Sequence, residues 1–344
     1  MTRTVAVVGA GSWGTAVAWM LGGKGHDVRL WARRPETAEA IEAERRNPRY
    51  LTDVLLPETV GAYSDLARAT SGAELVVIVT PSHGVREAAG ALRPLLSSEV
   101  PVVSLAKGLE RGTLLRMTEV LAEELGGPER LAALSGPNHA EEVSRGIPSA
   151  TVAAAHDEGL AAFVRDAFMT PFFRVYTNPD IVGVELCGAS KNVIAVAAGI
   201  SDGLGFGDNT KASLMTRGLA EMSRLGKTAG ARQLTFMGLA GMGDLIATCT
   251  SRHSRNRSVG EAVGKGGTVA EWEASTRMVA EGTTAALTIG QLAGRYGVEL
   301  PITSLVRRIL YEGLPAREAV EKLMTRTAVD EMHGMGLLEG GERR

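Results

Sequence analysis

The chain has 344 residues, of which 44% are hydrophobic and 22% charged, with a formal net charge of −2. Apolar surface on that scale excludes a largely disordered chain, and the near-neutral charge excludes a globally basic nucleic-acid or membrane-surface binder. Cys187 and Cys249 are the two cysteines and are far apart; with six histidines and no HExxH, they predict neither a disulfide framework nor a metal site, and they point to a reducing, cytoplasmic setting.

Length alone predicts two domains. Thr4–Val8 reads as the first strand, and Thr15–Leu21 as a helix of small residues. Val5 to Gly23 carries no charge, which is the length of a signal peptide or a span, but its five glycines and the switch from strand to helix argue against both. No other segment is expected to come near a span. His26–Trp31, Leu75–Val79, Pro101–Leu105 and Leu131–Ser135 read as further strands with helical stretches between them, and Ser149–Ala155 and Phe172–Tyr176 as extensions. This rhythm predicts an α/β fold with a doubly wound parallel sheet, whose strands are apolar because both faces are covered. At Thr177-Asn178-Pro179-Asp180 the pattern changes, and residues 181–321 show helical periodicity. The expected division is therefore 1–180 for a dinucleotide-binding domain, 181–330 for an all-helical substrate domain, and 331–344 for a frayed tail.

Glycine makes up 42 of the 344 residues, about 12% against the usual ~7%, without a collagen-like period. Gly9, Gly11 and Gly14 form a G-x-G-x-x-G immediately after a strand and at the start of a helix. In that context Gly9 serves a tight turn, Gly11 the approach of a pyrophosphate, and Gly14 close helix–strand packing, with the helix N-terminus facing the phosphates. The second strand ends in Leu30-Trp31-Ala32-Arg33-Arg34, with two arginines where an NAD site would carry a carboxylate. Arg33 and Arg34 suit a 2′-phosphate, which favours NADPH over NADH.

Lys191 has Cys187, Gly188, Ile194, Ala195 and Ala198 as its helical neighbours, none with a charged side chain. Such a lysine either snorkels to the surface or lies partly buried beside a cleft, where burial would lower its pKa and suit it to proton transfer. Ser251 to Ser258 packs three arginines and three serines before a helix, as an oxyanion site would; Ser258 and Glu261 have capping-box spacing. Asp244 follows Gly241-Met242-Gly243 and reads as a helix cap or a group projecting into a cleft. Lys107 and the run Ser135-Gly136-Pro137-Asn138-His139-Ala140 each follow a strand, where open α/β sheets bind their ligands.

Gly9-Ala10-Gly11-Ser12-Trp13-Gly14-Thr15-Ala16, Ala106-Lys107-Gly108, Ser135 to Ala140, Lys191-Asn192, and Gly243-Asp244 through Ser254-Arg255-Asn256 resemble the motifs of the bacterial NAD(P)-dependent glycerol-3-phosphate dehydrogenase family. They occur in the family's order and cover the chain to about residue 325. The resemblance implies a Rossmann-like domain with a helical substrate domain, and a cytoplasmic homodimer serving glycerophospholipid synthesis. It implies that Ser12, Trp13, Arg33, Arg34, Tyr50, Ala140, Val279 and Glu281 meet the cofactor, with Lys107 and Arg255 at both cofactor and substrate. Gly136, Asn138, Asp244, Ser254 and Asn256 would hold the triose phosphate, and Lys191 would exchange the proton. Thr52 stands where the family has proline after Tyr50-Leu51. Asn138 and His139 stand where it often has a small hydroxyl residue and an aromatic.

The expected reaction is reduction of dihydroxyacetone phosphate to sn-glycerol 3-phosphate, with Lys191 as acid, and Lys107 and Asp244 assisting. Two rivals remain at this stage: another NADP-dependent hydroxyacid dehydrogenase of the same two-domain plan, and a non-catalytic NADP(H) sensor. The arginine–serine cluster separates the first from the expected enzyme, since it asks for a phosphate; the lysine separates the second.

Overall fold

The computed structural model describes residues 2–276, 278–328 and 330–331. The chain divides into two compact units, Met1–Glu185 and Leu186–Arg344. The tail expected from 331 onward lies outside the described residues apart from Glu331.

Unit one is an eight-stranded sheet of β1 (Thr4–Val8), β2 (Asp27–Trp31), β3 (Val60–Tyr63), β4 (Leu75–Ile78), β5 (Val102–Ser104), β6 (Leu131–Ser135), β7 (Ser149–Ala155) and β8 (Phe173–Asn178). Its helices are α1 (Ser12–Gly23), α2 (Pro35–Glu44), α3 (Leu66–Thr70), α4 (Val85–Leu92), α5 (Met117–Leu125), α6 (Ala140–Val143) and α7 (Glu158–Phe168). The strand order is β3-β2-β1-β4-β5-β6-β7-β8. The order reverses between β1 and β4, which pair in parallel, and this is where doubly wound sheets bind ligands beyond their carboxyl ends.

Alternation along β1 explains the two covered faces. Val5 and Val7 pack with Val17, Ala18 and Leu21 of α1, whereas Ala6 and Val8 pack with Val85, Ala89 and Leu92 of α4 and Val120 and Leu121 of α5. One expectation needs correction. The sheet is not wholly parallel, because β7 runs antiparallel to β6. The link from Ser135 to Ser149 holds only the four residues of α6, short of the crossover helix that a parallel return uses. The strand β3 also escapes sequence reading: it is four residues long, includes Gly61, and lies at the sheet edge.

Unit two is helical among its described residues. It comprises α8 (Ile181–Gly203, whose first residues fall in unit one), α9 (Asp208–Thr228), α10 (Gln233–Phe236), α11 (Asp244–Thr250), α12 (Arg255–Gly264), α13 (Val269–Ser275), α14 (Glu281–Tyr296), α15 (Pro301–Glu312) and α16 (Ala316–Met324). Contrary to expectation, α8 is long and apolar enough to cross a membrane, with a mean hydropathy of 1.5 over its most apolar window; 94% of that window is buried inside the protein, as in a core helix.

Candidate functional site

In unit one the glycine loop has a shape that its residues explain. Gly9 adopts φ +122°, a region that side chains rarely enter, and its N–H donates to the Trp31 carbonyl at 3.1 Å. A Cβ on Gly14 would lie 1.8 Å from the Gly9 carbonyl oxygen, so α1 can start this close to the loop only without one. Gly11 differs: its φ is −78°, open to any residue, and nothing lies within 4 Å of its would-be Cβ. The fold itself does not require glycine there, whereas a ligand approaching the backbone would. Gly11 also caps α1 without any side-chain bond to the first-turn N–H groups. An extended anion fits this uncapped end, and the residues suit a dinucleotide pyrophosphate.

Around the loop, Ser12 opens α1, and the half-buried Trp13 ring lies 6.5 Å from that of Phe173. Arg33 and Arg34 are both exposed at the end of β2, ahead of Pro35. Tyr50 is half-buried on the connection between α2 and β3, where Leu51 takes a positive φ just before Thr52. After β5 and β6 a second group gathers: Lys107 Nζ donates to the Gly136 carbonyl at 3.0 Å, and Asn138 Nδ2 to that of Ala150 at 3.1 Å. A Cβ on Gly136 would sit 2.8 Å from Thr151 Cα, and Ala140 is buried at the start of α6.

Unit two centres on Lys191. The residue is 5% exposed, so the snorkelling alternative fails. Its Nζ donates to Asp244 Oδ1 and to Thr248 Oγ1, both at 2.6 Å, and the Thr248 hydroxyl donates to the Asp244 backbone carbonyl at 2.6 Å. Asp244 is the first residue of α11 rather than its cap, and a π-helical turn, Leu239–Gly243, feeds directly into it. Cys249 lies alongside, fully buried; burial pushes its thiol up to about 12, with Lys191 opposing the shift and Asp244 adding to it. Sequence reasoning missed Thr248. Its signal was the i, i+4 spacing from Asp244, which puts both side chains on one face of α11.

A second relay starts at the residue after Lys191. Asn256 Nδ2 donates to Asn192 Oδ1 at 2.8 Å, and Asn256 Oδ1 accepts the Gly282 N–H at 2.8 Å. It joins α8, the first turn of α12 and the first turn of α14, where Glu281 stands; Val279 precedes it, exposed. Helices α8 and α12 meet backbone to backbone: a Cβ on Gly199 would lie 2.0 Å from the Arg257 carbonyl oxygen, and one on Gly260 2.1 Å from that of Val196.

The capping box expected from Ser258 and Glu261 does not form. Ser254 is the N-cap of α12, its hydroxyl accepting from the Arg257 N–H, while Ser258 accepts from the Trp272 indole. The basic run is also divided. Arg255 is exposed on the first turn, whereas Arg257 turns inward to Asp202 at 2.6 Å, where Lys211 also pairs. Among the described residues no group of three or more His, Cys, Asp or Glu is placed to hold a metal ion. A cavity of about 900 Å³ elsewhere in this unit, walled by Ile200, Glu221, Ile302, Val306 and Leu323 among others, includes none of the predicted site residues.

A doubly wound sheet with a glycine loop at its point of reversal, followed by a helical unit holding a buried lysine–aspartate pair, defines a dinucleotide-dependent oxidoreductase plan. Residues 4–161 match the family described as NAD-dependent glycerol-3-phosphate dehydrogenase N-terminus, and residues 180–321 its C-terminus. The chain is 51% identical over 332 residues to glycerol-3-phosphate dehydrogenase [NAD(P)+] of Moorella thermoacetica, covering 96% of this chain and 98% of that protein. It is likewise 51% identical over 333 residues to the protein of the same name from Nocardia farcinica, with 95% and 98% covered. The crystal structure of glycerol-3-phosphate dehydrogenase from Coxiella burnetii superposes with a TM-score of 0.90 at 40% identity, covering 94% of this chain and 99% of that one. The chain belongs to the NAD-dependent glycerol-3-phosphate dehydrogenase family.

Proposed function

We propose that this protein reversibly reduces dihydroxyacetone phosphate to sn-glycerol 3-phosphate with NADPH or NADH. The observation that carries the reading is the Lys191 ammonium, buried and bonded to Asp244 and Thr248. A lone buried lysine would be expelled or neutralised; one paired in this way keeps its proton for a transfer partner.

The bound reduced nicotinamide supplies the hydride for C2 of the substrate. Lys191 delivers a proton to the oxygen on C2 as negative charge develops there, so the carbonyl becomes a secondary alcohol, and it takes that proton back in the reverse direction. Asp244 and Thr248 hold the Lys191 side chain in one geometry. Lys107 lends positive charge to the substrate, with Gly136 and Asn138 beside it. Ser254, Arg255 and Asn256, at the N-terminus of α12, take the substrate phosphate. Gly9, Gly11, Ser12, Trp13 and Gly14 hold the dinucleotide phosphates. Arg33 and Arg34 favour the 2′-phosphate of NADPH; Tyr50, Ala140, Val279, Glu281, Lys107 and Arg255 complete the cofactor contacts. The product class fits supply of glycerophospholipid synthesis by a cytoplasmic homodimer.

The experiment is oxidation of NADPH by the purified chain on addition of dihydroxyacetone phosphate, followed by absorbance, with dihydroxyacetone and short 3-keto acids as controls. Reduction of the phosphorylated substrate alone is expected. Equal rates with the unphosphorylated controls refute the phosphate reading, and no oxidation at all with a tightly bound cofactor refutes the enzyme.

A further inference from the structure

Asn47 is fully buried in the long connection between α2 and β3, and every polar site of its side chain is engaged. Its Nδ2 donates to the Ala10 carbonyl at 3.0 Å and to Thr15 Oγ1 at 2.8 Å; its Oδ1 accepts the N–H groups of Arg49 at 2.9 Å and Tyr50 at 3.2 Å. Ala10 lies between the first two glycines of the loop, and Thr15 lies just past the third. One amide thus grips the loop on both sides of Gly11 and holds the turn that carries Tyr50.

From this geometry we propose that Asn47 is a positioning residue for the dinucleotide: it sets the loop's shape from behind and locks it in register with the Tyr50 segment. Two physical reasons support this. Glycine backbones are permissive, so a loop of this composition needs an external bond to choose one conformation. The Ala10 carbonyl is also a partial negative charge one residue from Gly11. Held by the Asn47 amide at 3.0 Å, it keeps one orientation; released, it is free to rotate toward an approaching phosphate and repel it. The Thr15 bond fixes α1 to the same anchor, and through it the helix N-terminus with its first-turn N–H groups.

The inference rests on the loop being the dinucleotide site, and the test separates the two. NADPH dissociation constants would be measured by fluorescence titration for the wild-type chain, Gly11→Val, Asn47→Ala and Asn47→Leu, together with kcat, both KM values and melting temperature. Asn47→Leu keeps most of the side-chain volume and adds no charge while removing both donors, so it remains informative where the alanine variant leaves a cavity and folds poorly. Loss of two buried donor bonds is expected to weaken NADPH binding by about tenfold or more in both Asn47 variants, with kcat at saturating NADPH and KM for the triose phosphate within about twofold of wild type. A merely structural role would lower the melting temperature and leave the cofactor constant of the folded fraction unchanged, and that result overturns the proposal. If Gly11→Val abolishes binding while both Asn47 variants bind normally, the loop reading stands and Asn47 has no part in it. If Gly11→Val binds as well as wild type, the loop reading fails and takes the inference with it.

Discussion

Lys191 Nζ and Asp244 Oδ1 lie 2.6 Å apart, with side chains 6% and 3% exposed, although 53 residues separate them in the chain. Desolvating two charges in this way is costly, and a hydrophobic pair of similar volume could often hold the helices together as well. The pair is therefore weak evidence for stability, and it fits the proton transfer proposed for Lys191.

A double-variant cycle separates the two roles of the pair. Lys191→Met alone strands the Asp244 carboxylate, and Asp244→Asn alone weakens the partner of the ammonium. Removing one partner of a buried pair costs about 3–5 kcal/mol, and combining the two substitutions should restore most of it. Turnover should fall by about 10²–10⁴-fold with Lys191→Met and stay low in the double variant. Denaturant unfolding and steady-state rates check both halves; recovery of activity along with stability would remove Lys191 from the chemistry.

Gly11 and Gly14 should respond in opposite ways. With φ at −78° and open space around it, Gly11→Ala is expected to leave the melting temperature unchanged or slightly raised and to weaken cofactor binding. Gly14→Ala places a methyl 1.8 Å from the Gly9 carbonyl oxygen and should destabilise unit one by more than about 2 kcal/mol. Thermal melts with and without NADPH distinguish the two, since bound ligand raises the melting temperature only where the site survives.

The exposed pair Arg33 and Arg34 predicts a selective effect. Replacing both with serine should raise KM for NADPH by about tenfold or more while changing KM for NADH by less than about twofold, because only the former carries the 2′-phosphate. Equal losses with both cofactors would move the phosphate contact elsewhere.

Glu221 predicts a pH dependence of stability. It is 3% exposed, accepts N–H bonds from Ile302 (2.5 Å) and Thr303 (3.2 Å) at the start of α15, and is pushed by burial from 4.5 to about 7, those hydrogen bonds opposing the shift. Between 4.5 and 7 the folded chain keeps a proton that the unfolded chain has released, so this group's contribution is fully present below that window and is lost as pH rises through it. Glu221→Gln should remove this downward slope while keeping an acceptor for α15. The difference in melting temperature between variant and wild type, followed across the window, should therefore shift in the variant's favour as pH rises; a flat difference would refute the assignment.

Much of unit one could be read from local pattern. Leu75 to Ile78 is an unbroken apolar run because both faces of β4 are covered, and the spacing of Gly9, Gly11 and Gly14 follows from a strand turning straight into a helix. Such features are encoded by neighbours within a few residues of one another, where backbone conformation and burial are decided by residue type. The edge strand β3 and the reversed β7 were hidden because pairing direction and sheet edges depend on partners far away in the chain.

The sequence alone determined that Lys191 stands on an apolar helix face, that a dinucleotide loop follows the first strand, and that a basic, hydroxyl-rich turn precedes a helix. Only the tertiary structure decided that Lys191 is met by Asp244 and Thr248, that Ser254 and not Ser258 caps α12, and that Arg257 faces inward while Arg255 stays exposed. The reason is geometric: which side chains meet across helices depends on how closely the backbones approach, and at α8 and α12 that approach is permitted by Gly199 and Gly260, whose missing Cβ atoms would otherwise overlap the opposing carbonyls.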